Sequence, residues 1–192
     1  ALNDNGVVAI VLNRVGSLGQ APNKRSRGEL PLEAVDHAEA EVAARELSTI
    51  QPGSYKSFNL VIGDFKKAFW LKSTGVSGSS VEVFSIPEGI SMITAHGLND
   101  LECPRIKAQL HKFQAARPPE PEKNNWKDWQ DLLASREPGV VNEPEAAMNF
   151  GSKGGFGTVS SSLVGLPSKN YVDLKPKWLF AKGKLDKNPY LS

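Results

Sequence analysis

At 192 residues, 40% hydrophobic and 23% charged, the chain has the length and mix of a globular domain with a substantial core. Its 23 basic and 21 acidic residues leave a formal charge of +2, too small to organise a nucleic-acid surface, and no apolar run approaches the ~20 residues that span a bilayer. The one cysteine, Cys103, excludes an internal disulfide and any multi-cysteine metal site, in keeping with a reducing, cytoplasmic setting.

In chain order, Asn5-Gly6 is a turn dipeptide, and the β-branched run from Val7 to Leu12 behind it predicts a buried strand. Leu2 then belongs to the first arm of a hairpin, so the chain reads as starting inside a sheet, with earlier strands upstream of Ala1. A polar loop from Gly16 to Arg27 leads to a helix predicted over Pro31 to Leu47. Leu32, Val35, Ala38, Val42 and Leu47 form its expected apolar stripe. Pro31 suits the first helical turn, Glu29 and Glu33 suit its positive end, and Pro52-Gly53 closes the unit.

Four strands are predicted next: Phe58 to Ile62, Ala68 to Leu71, Val81 to Phe84 and Ser91 to Ala95. Connections this short require antiparallel pairing, because a parallel crossover needs about a dozen residues or more. Two amphipathic helices follow, one with Ile106, Leu110 and Phe113 on a face, the other with Trp126, Trp129, Leu132 and Leu133 behind Asn125 as N-cap. A Pro/Glu/Lys-rich linker from Arg117 to Asn124 separates them. Strands from Thr158 to Leu166 and from Lys177 to Ala181 end the chain. Helices layered on antiparallel strands predict an α+β fold, a single domain over residues 1–192 that lacks its first strands.

Several polar constellations are candidates for chemistry. Asn13-Arg14 closes the first strand, where an amide and a guanidinium either hold an oxyanion in a cleft or end the strand in water. Arg25-Ser26-Arg27-Gly28-Glu29 puts two arginines beside a helix start, as an anion site or as a solvated loop. In His96-Gly97-Leu98-Asn99-Asp100, Asn99 is a candidate oxyanion donor and His96 a candidate base or plain polar residue. Asp100 is a candidate cap for the helix at Cys103-Pro104, where Cys103 reads first as a structural thiol. The segment Gly154-Gly155-Phe156-Gly157-Thr158-Val159-Ser160-Ser161-Ser162 offers glycines for close backbone approach to a ligand, then hydroxyls alternating across a strand. It lacks the Gly-Lys-Ser/Thr of a phosphate-binding loop, and a flexible loop into a serine-rich strand serves equally.

The order of these segments resembles that of a known family. Arg25-Ser26-Arg27-Gly28-Glu29-Leu30-Pro31 resembles its Ser-Arg-Gly-Glu-Leu segment, and Phe58-Asn59-Leu60-Val61-Ile62-Gly63-Asp64 its Phe-Asn-Leu-Leu-X-Gly-Asp strand and turn. Gly97-Leu98-Asn99 with Pro104-Arg105 is similar to its Gly-Leu-Ser-Asn region and the helix start that follows. Phe156-Gly157-Thr158-Val159-Ser160-Ser161-Ser162 resembles its Tyr-Gly-Thr-Arg-Ser-Ser-Thr. The family is the NRDE family, whose members include transport and Golgi organisation protein 2.

The resemblance implies a four-layer αββα sandwich of antiparallel sheets, as in N-terminal-nucleophile hydrolases. It implies cleavage of a carbon–nitrogen amide bond by a cysteine at a mature N-terminus, with its own amine as base. That cysteine and the Asn-Arg-Asp-Glu tetrapeptide lie outside residues 1–192, so the implied activity belongs to a longer form. Asn13 and Asn99 are the implied catalytic residues, Arg14, Arg27, His96 and Ser160 the candidate substrate-binding ones. The implied ligand is a small-molecule amide, with no metal and no resident cofactor; the open sheet edge makes a homo-oligomer an expectation. The rival reading is a non-catalytic binding or trafficking protein, Golgi- or haem-related as the family permits. His96, His111 and Cys103 are then the axial-ligand candidates.

Overall fold

The computed structural model describes residues 1–19, 21–139, 143–151, 156–168, 174–183 and 189–191, and contacts divide the chain into two units. The first comprises Ala1–Leu98 and Leu166–Pro176, the second Asn99–Gly165 and Lys177–Ser192.

In the first unit, β1 (Val8–Asn13), β2 (Phe58–Gly63), β3 (Ala68–Ser73) and β4 (Glu82–Ser85) form an antiparallel sheet in the order β1-β2-β3-β4. The registers Ala9↔Ile62, Val11↔Leu60 and Leu60↔Leu71 put these apolar residues on one face. Helices α1 (Glu29–Val35) and α2 (Ala40–Leu47) cover that face, and Leu30, Ala34, Ala43, Phe58, Leu60, Ile62 and Leu71 are fully buried between them. Each of the larger side chains contributes about 1.5–3 kcal/mol by leaving water, so this interface dominates the unit's stability.

The single helix expected over Pro31 to Leu47 is instead two, broken between Val35 and Ala40. Two residues from outside the segment cause the break. Asn3 Nδ2 donates to the carbonyls of Val35 and His37 at 2.7 and 2.8 Å, which ends α1. The Asp64 carboxylate accepts the Ala40 N–H at 2.9 Å, which starts α2. The break also moves the apolar stripe: Leu32 is 61% exposed and Ala38 is exposed, while Leu30, Ala34, Ala40, Ala43 and Ala44 are buried beside Leu47.

The segment Ser91 to Ala95, expected as a strand, is not one. Side-chain bonds described below replace a ladder there. At the other edge, Ala1 and Ala9 exchange main-chain hydrogen bonds of 2.9 Å across a turn in which Gly6 takes φ +80°. Ala9 therefore turns its N–H and C=O away from β2, and by alternation Val11 and Asn13 do the same. No described strand pairs with this edge at Val11 and Asn13.

In the second unit, α3 (Pro104–Ala115) buries Ile106, Leu110 and Phe113, the face read from the sequence. β5 (Ser160–Gly165) pairs antiparallel with β6 (Lys177–Lys182), and Leu163 and Leu179 pack with Trp126, Trp129 and Leu133 of the α4 region (Lys127–Ala134). The N-cap of α4 is Trp126 rather than Asn125, whose Oδ1 accepts the Lys127 N–H at 3.4 Å one residue earlier. Gln109 and Asn149 are buried polar tethers: Gln109 Nε2 donates to the Glu137 and Ala146 carbonyls, and Asn149 Nδ2 to that of Ala134. The fold is thus α+β with antiparallel sheets. No described helix is long and apolar enough to cross a membrane.

Candidate functional site

A cavity of about 570 Å³ opens where β1 ends, lined by Val11 and Asn13 and by the loop that leads into α1. Asn13 faces it because it shares the helix-covered face of β1 with Ala9 and Val11. Four cations, Lys24, Arg25, Arg27 and Lys56, contribute to the rest of the wall.

Each cation is fixed in a different way. Lys24 Nζ donates to the carbonyls of Gly53, Tyr55 and Gly75 at 2.8, 3.0 and 2.9 Å, which engages its three N–H donors. Arg27 Nη1 donates to Ser17 Oγ and the Ser57 carbonyl, both at 2.8 Å, and Nη2 to the Ser17 carbonyl at 3.1 Å. Burial holds the Arg27 guanidinium below its usual pKa. Lys56 Nζ donates to the carbonyls of Leu18 and Gly19. Only Arg25 meets carboxylates, those of Glu29 at 2.6 Å and Glu33 at 2.9 Å, while its guanidinium sits 5.1 Å from the Tyr55 ring centre.

Arg14 goes to the other face of the sheet. Its Nη1 donates to Asn59 Oδ1 at 2.7 Å, beside Trp70 Nε1, which donates to the same oxygen at 3.1 Å. The Asn59 amide in turn donates to the carbonyls of Thr94 at 2.9 Å and His96 at 2.7 Å. A fully buried asparagine with all of its donors and both of its lone pairs in use therefore stitches the His96 segment to the sheet. The Val15 N–H adds a bond to the Ala95 carbonyl at 3.2 Å.

Of the residues read from the sequence, Asn13 and Arg27 come together in the cavity wall. Arg14 is tied to Arg27 only through Ser17, whose Oγ accepts from the Arg14 N–H and from Arg27 Nη1. His96 is half-buried, its backbone set by Asn59.

Asn99 and Ser160 belong to the second unit. Asn99 takes φ +53°, a conformation asparagine tolerates, in the turn before α3. Asp100 Oδ1 accepts the Glu102 N–H, while the N-cap of α3 is Cys103. Ser160 is exposed, opposite Lys182. Cys103 is buried, and His111 lies exposed on α3.

Within the glycine-rich segment, Gly154 and Gly155 lie outside the described residues. Gly157 makes its close approach to the chain itself, since a Cβ there would meet the Phe150 carbonyl oxygen at 2.6 Å. Thr158 then locks the approach, its Oγ1 donating to the Met148 carbonyl at 2.9 Å.

Sequence reasoning missed Lys24, Lys56 and Asn59. Lys24 had a signal, as the first residue of the basic cluster Lys24-Arg25-Ser26-Arg27, and so had Asn59, one amide inside the otherwise apolar run Phe58 to Ile62; Lys56 stands in no motif. Among the described residues, no group of three or more His, Cys, Asp or Glu is placed to hold a metal ion.

A family model described as Transport and Golgi organisation 2 matches residues 1–173 of the chain. No curated relative matches it.

Proposed function

Because the chain belongs to the Transport and Golgi organisation 2 family, we propose that it forms most of an amidohydrolase domain of the N-terminal-nucleophile type, acting on a small-molecule amide. The observation that carries this reading is the position of Asn13, at the end of an edge strand in the wall of a cavity of about 570 Å³. The sheet sets the backbone of Asn13, and its exposed side-chain amide is a donor of the kind that stabilises a developing oxyanion.

The nucleophile in this reading is a cysteine outside residues 1–192. Its thiol proton passes to its own amine, the sulfur adds to the substrate carbonyl, and the proton moves on to the departing amine. Water then hydrolyses the thioester to a carboxylic acid. Cys103 is buried in the second unit and plays no part. A cytoplasmic site of action belongs to the same proposal.

The test is turnover of short N-acyl amides by the full-length protein and its Asn13→Ala variant. The variant should lose ~10²–10³-fold in kcat with an unchanged thermal midpoint. Equal turnover would remove Asn13 from the reaction, and no turnover by either protein would end the hydrolase reading.

A second reading, a binding protein without catalysis, has its own support. The described lining of the cavity contains no His, Cys, Asp or Glu, and its two lysines, Lys24 and Lys56, are engaged by backbone carbonyls. Saturable binding of amides without turnover by the full-length protein is its signature.

A further inference from the structure

Lys24, Arg27 and Lys56 share a property and line one cavity. Their ammonium and guanidinium groups are held by carbonyl and hydroxyl oxygens, and none takes part in an ion pair among the described residues. Most other partnered cations of the first unit, including Arg25, Lys66, Lys67 and Lys72, meet a carboxylate. Three positive charges therefore line one cavity with no ion pair of their own, while the fourth, Arg25, bridges the two carboxylates of Glu29 and Glu33, so the group keeps a positive surplus.

Uncompensated like charges gathered around a concave site repel one another and concentrate anions there. Carbonyl oxygens fix the positions of the cations without removing their charge. Lys56 Nζ spends two donors on the carbonyls of Leu18 and Gly19, which leaves one for a ligand. Arg27 is pulled below its usual pKa by burial, a cost that an incoming anion relieves. The apolar part of the wall, Val11, Ala21 and Pro22, suits the body of a small molecule rather than a bare ion.

We propose that this cavity recognises a small molecule through an oxyanion, a carboxylate or a phosphate, held by Lys56 and Arg27 with Lys24 behind them. The proposal rests on the reading of the cavity as the substrate site, and it narrows the substrate to an anionic amide. Lys56 is the residue that tests this preference, because it keeps one N–H donor for the ligand while the carbonyls of Leu18 and Gly19 tether it, and Arg27, with three of its five donors engaged, keeps the rest.

Calorimetric titration of the full-length protein tests it with three probes: N-acetylglycine, its uncharged counterpart N-acetylglycinamide, and inorganic phosphate. N-acetylglycine or phosphate should bind at least ten-fold more tightly than N-acetylglycinamide, and more weakly as salt rises. Lys56→Gln should erase most of that advantage, and Lys56→Arg should restore it, which separates loss of charge from loss of the fold. Equal affinity for the charged and uncharged acetylglycines, with no phosphate binding, overturns the proposal, as does an advantage that survives Lys56→Gln. The two readings fail separately. Charge-selective binding without hydrolysis keeps the anion site and removes the enzyme. Hydrolysis that ignores substrate charge keeps the enzyme and removes the anion site.

Discussion

The guanidinium of Arg14 donates to Asn59 Oδ1 at 2.7 Å, on the face of the sheet opposite Asn13. Two neighbours that looked like one polar strand end thus serve different purposes, one in a cavity wall and one in the scaffold beneath the His96 segment.

Asn59 is the residue whose loss that scaffold feels most. Asn59→Leu leaves the Thr94 and His96 carbonyls and the Trp70 indole without their partner, at about 1–3 kcal/mol for each group that stays dry. The expected outcome of chemical denaturation is a loss of roughly 3 kcal/mol. Asn59→Asp separates the two sides of the network: it keeps Arg14 but presents a carboxylate to the two carbonyls, so hydrogen exchange should rise first around Thr94 to His96.

Asp64 links the turn between β2 and β3 to the start of α2. Burial pushes its carboxyl up, but the N–H groups of Ala40, Lys67 and Lys66 outweigh that and hold it below the usual carboxylate range. A folded-state pKa below the unfolded one gives stability that is present above the unfolded value, about 4, and lost as pH falls through the folded value. Thermal midpoints should therefore decline from about pH 4 downward, and Asp64→Ala should flatten that decline while costing about 1–2 kcal/mol at neutral pH.

Tyr55 makes the opposite prediction from most buried tyrosines. Its hydroxyl is buried with no hydrogen-bond partner, and burial raises its pKa. Tyr55→Phe removes an unsatisfied polar atom and keeps the edge contact with Phe58 at 6.3 Å between ring centres. Stability should stay the same or rise by up to ~1 kcal/mol, where a bonded hydroxyl would cost that much on removal. Thermal unfolding decides the sign.

Gly75 closes the cradle that holds Lys24. It takes φ +70°, and a Cβ there would meet the Ser57 nitrogen at 2.7 Å and the Tyr55 carbonyl oxygen at 2.9 Å. Because these neighbours are backbone, Gly75→Ala should cost about 2–4 kcal/mol in denaturant titrations. Lys24→Met, which keeps the stem but leaves three carbonyls without their ammonium, should cost ~2 kcal/mol and weaken anion binding as well.

Local pattern made much of this legible. The runs Phe58 to Ile62 and Ala68 to Leu71 read directly as short apolar segments between turns, and the Ile106, Leu110 and Phe113 face because burial imposes a period of 3.6 on a helix. What failed was non-local. The break between α1 and α2 is written in Asn3 and Asp64, not in the helix, and Ser91 to Ala95 is held by the Asn59 side chain in place of a ladder. The candidate site divides in the same way. Asn13, Arg27 and, in the same basic cluster, Lys24 stood in recognisable patterns, whereas Lys56 stands in none and is fixed by the carbonyls of Leu18 and Gly19, distant in sequence.

The most direct test of the central claim, that the cavity beside β1 is the substrate site, is a crystal structure of the full-length protein with N-acetylglycine. The account predicts the ligand in that cavity, its amide oxygen within hydrogen-bond distance of Asn13 Nδ2 and its carboxylate near Lys56 and Arg27. A ligand bound elsewhere, with the wall of Asn13, Arg27 and Lys56 untouched, would contradict it.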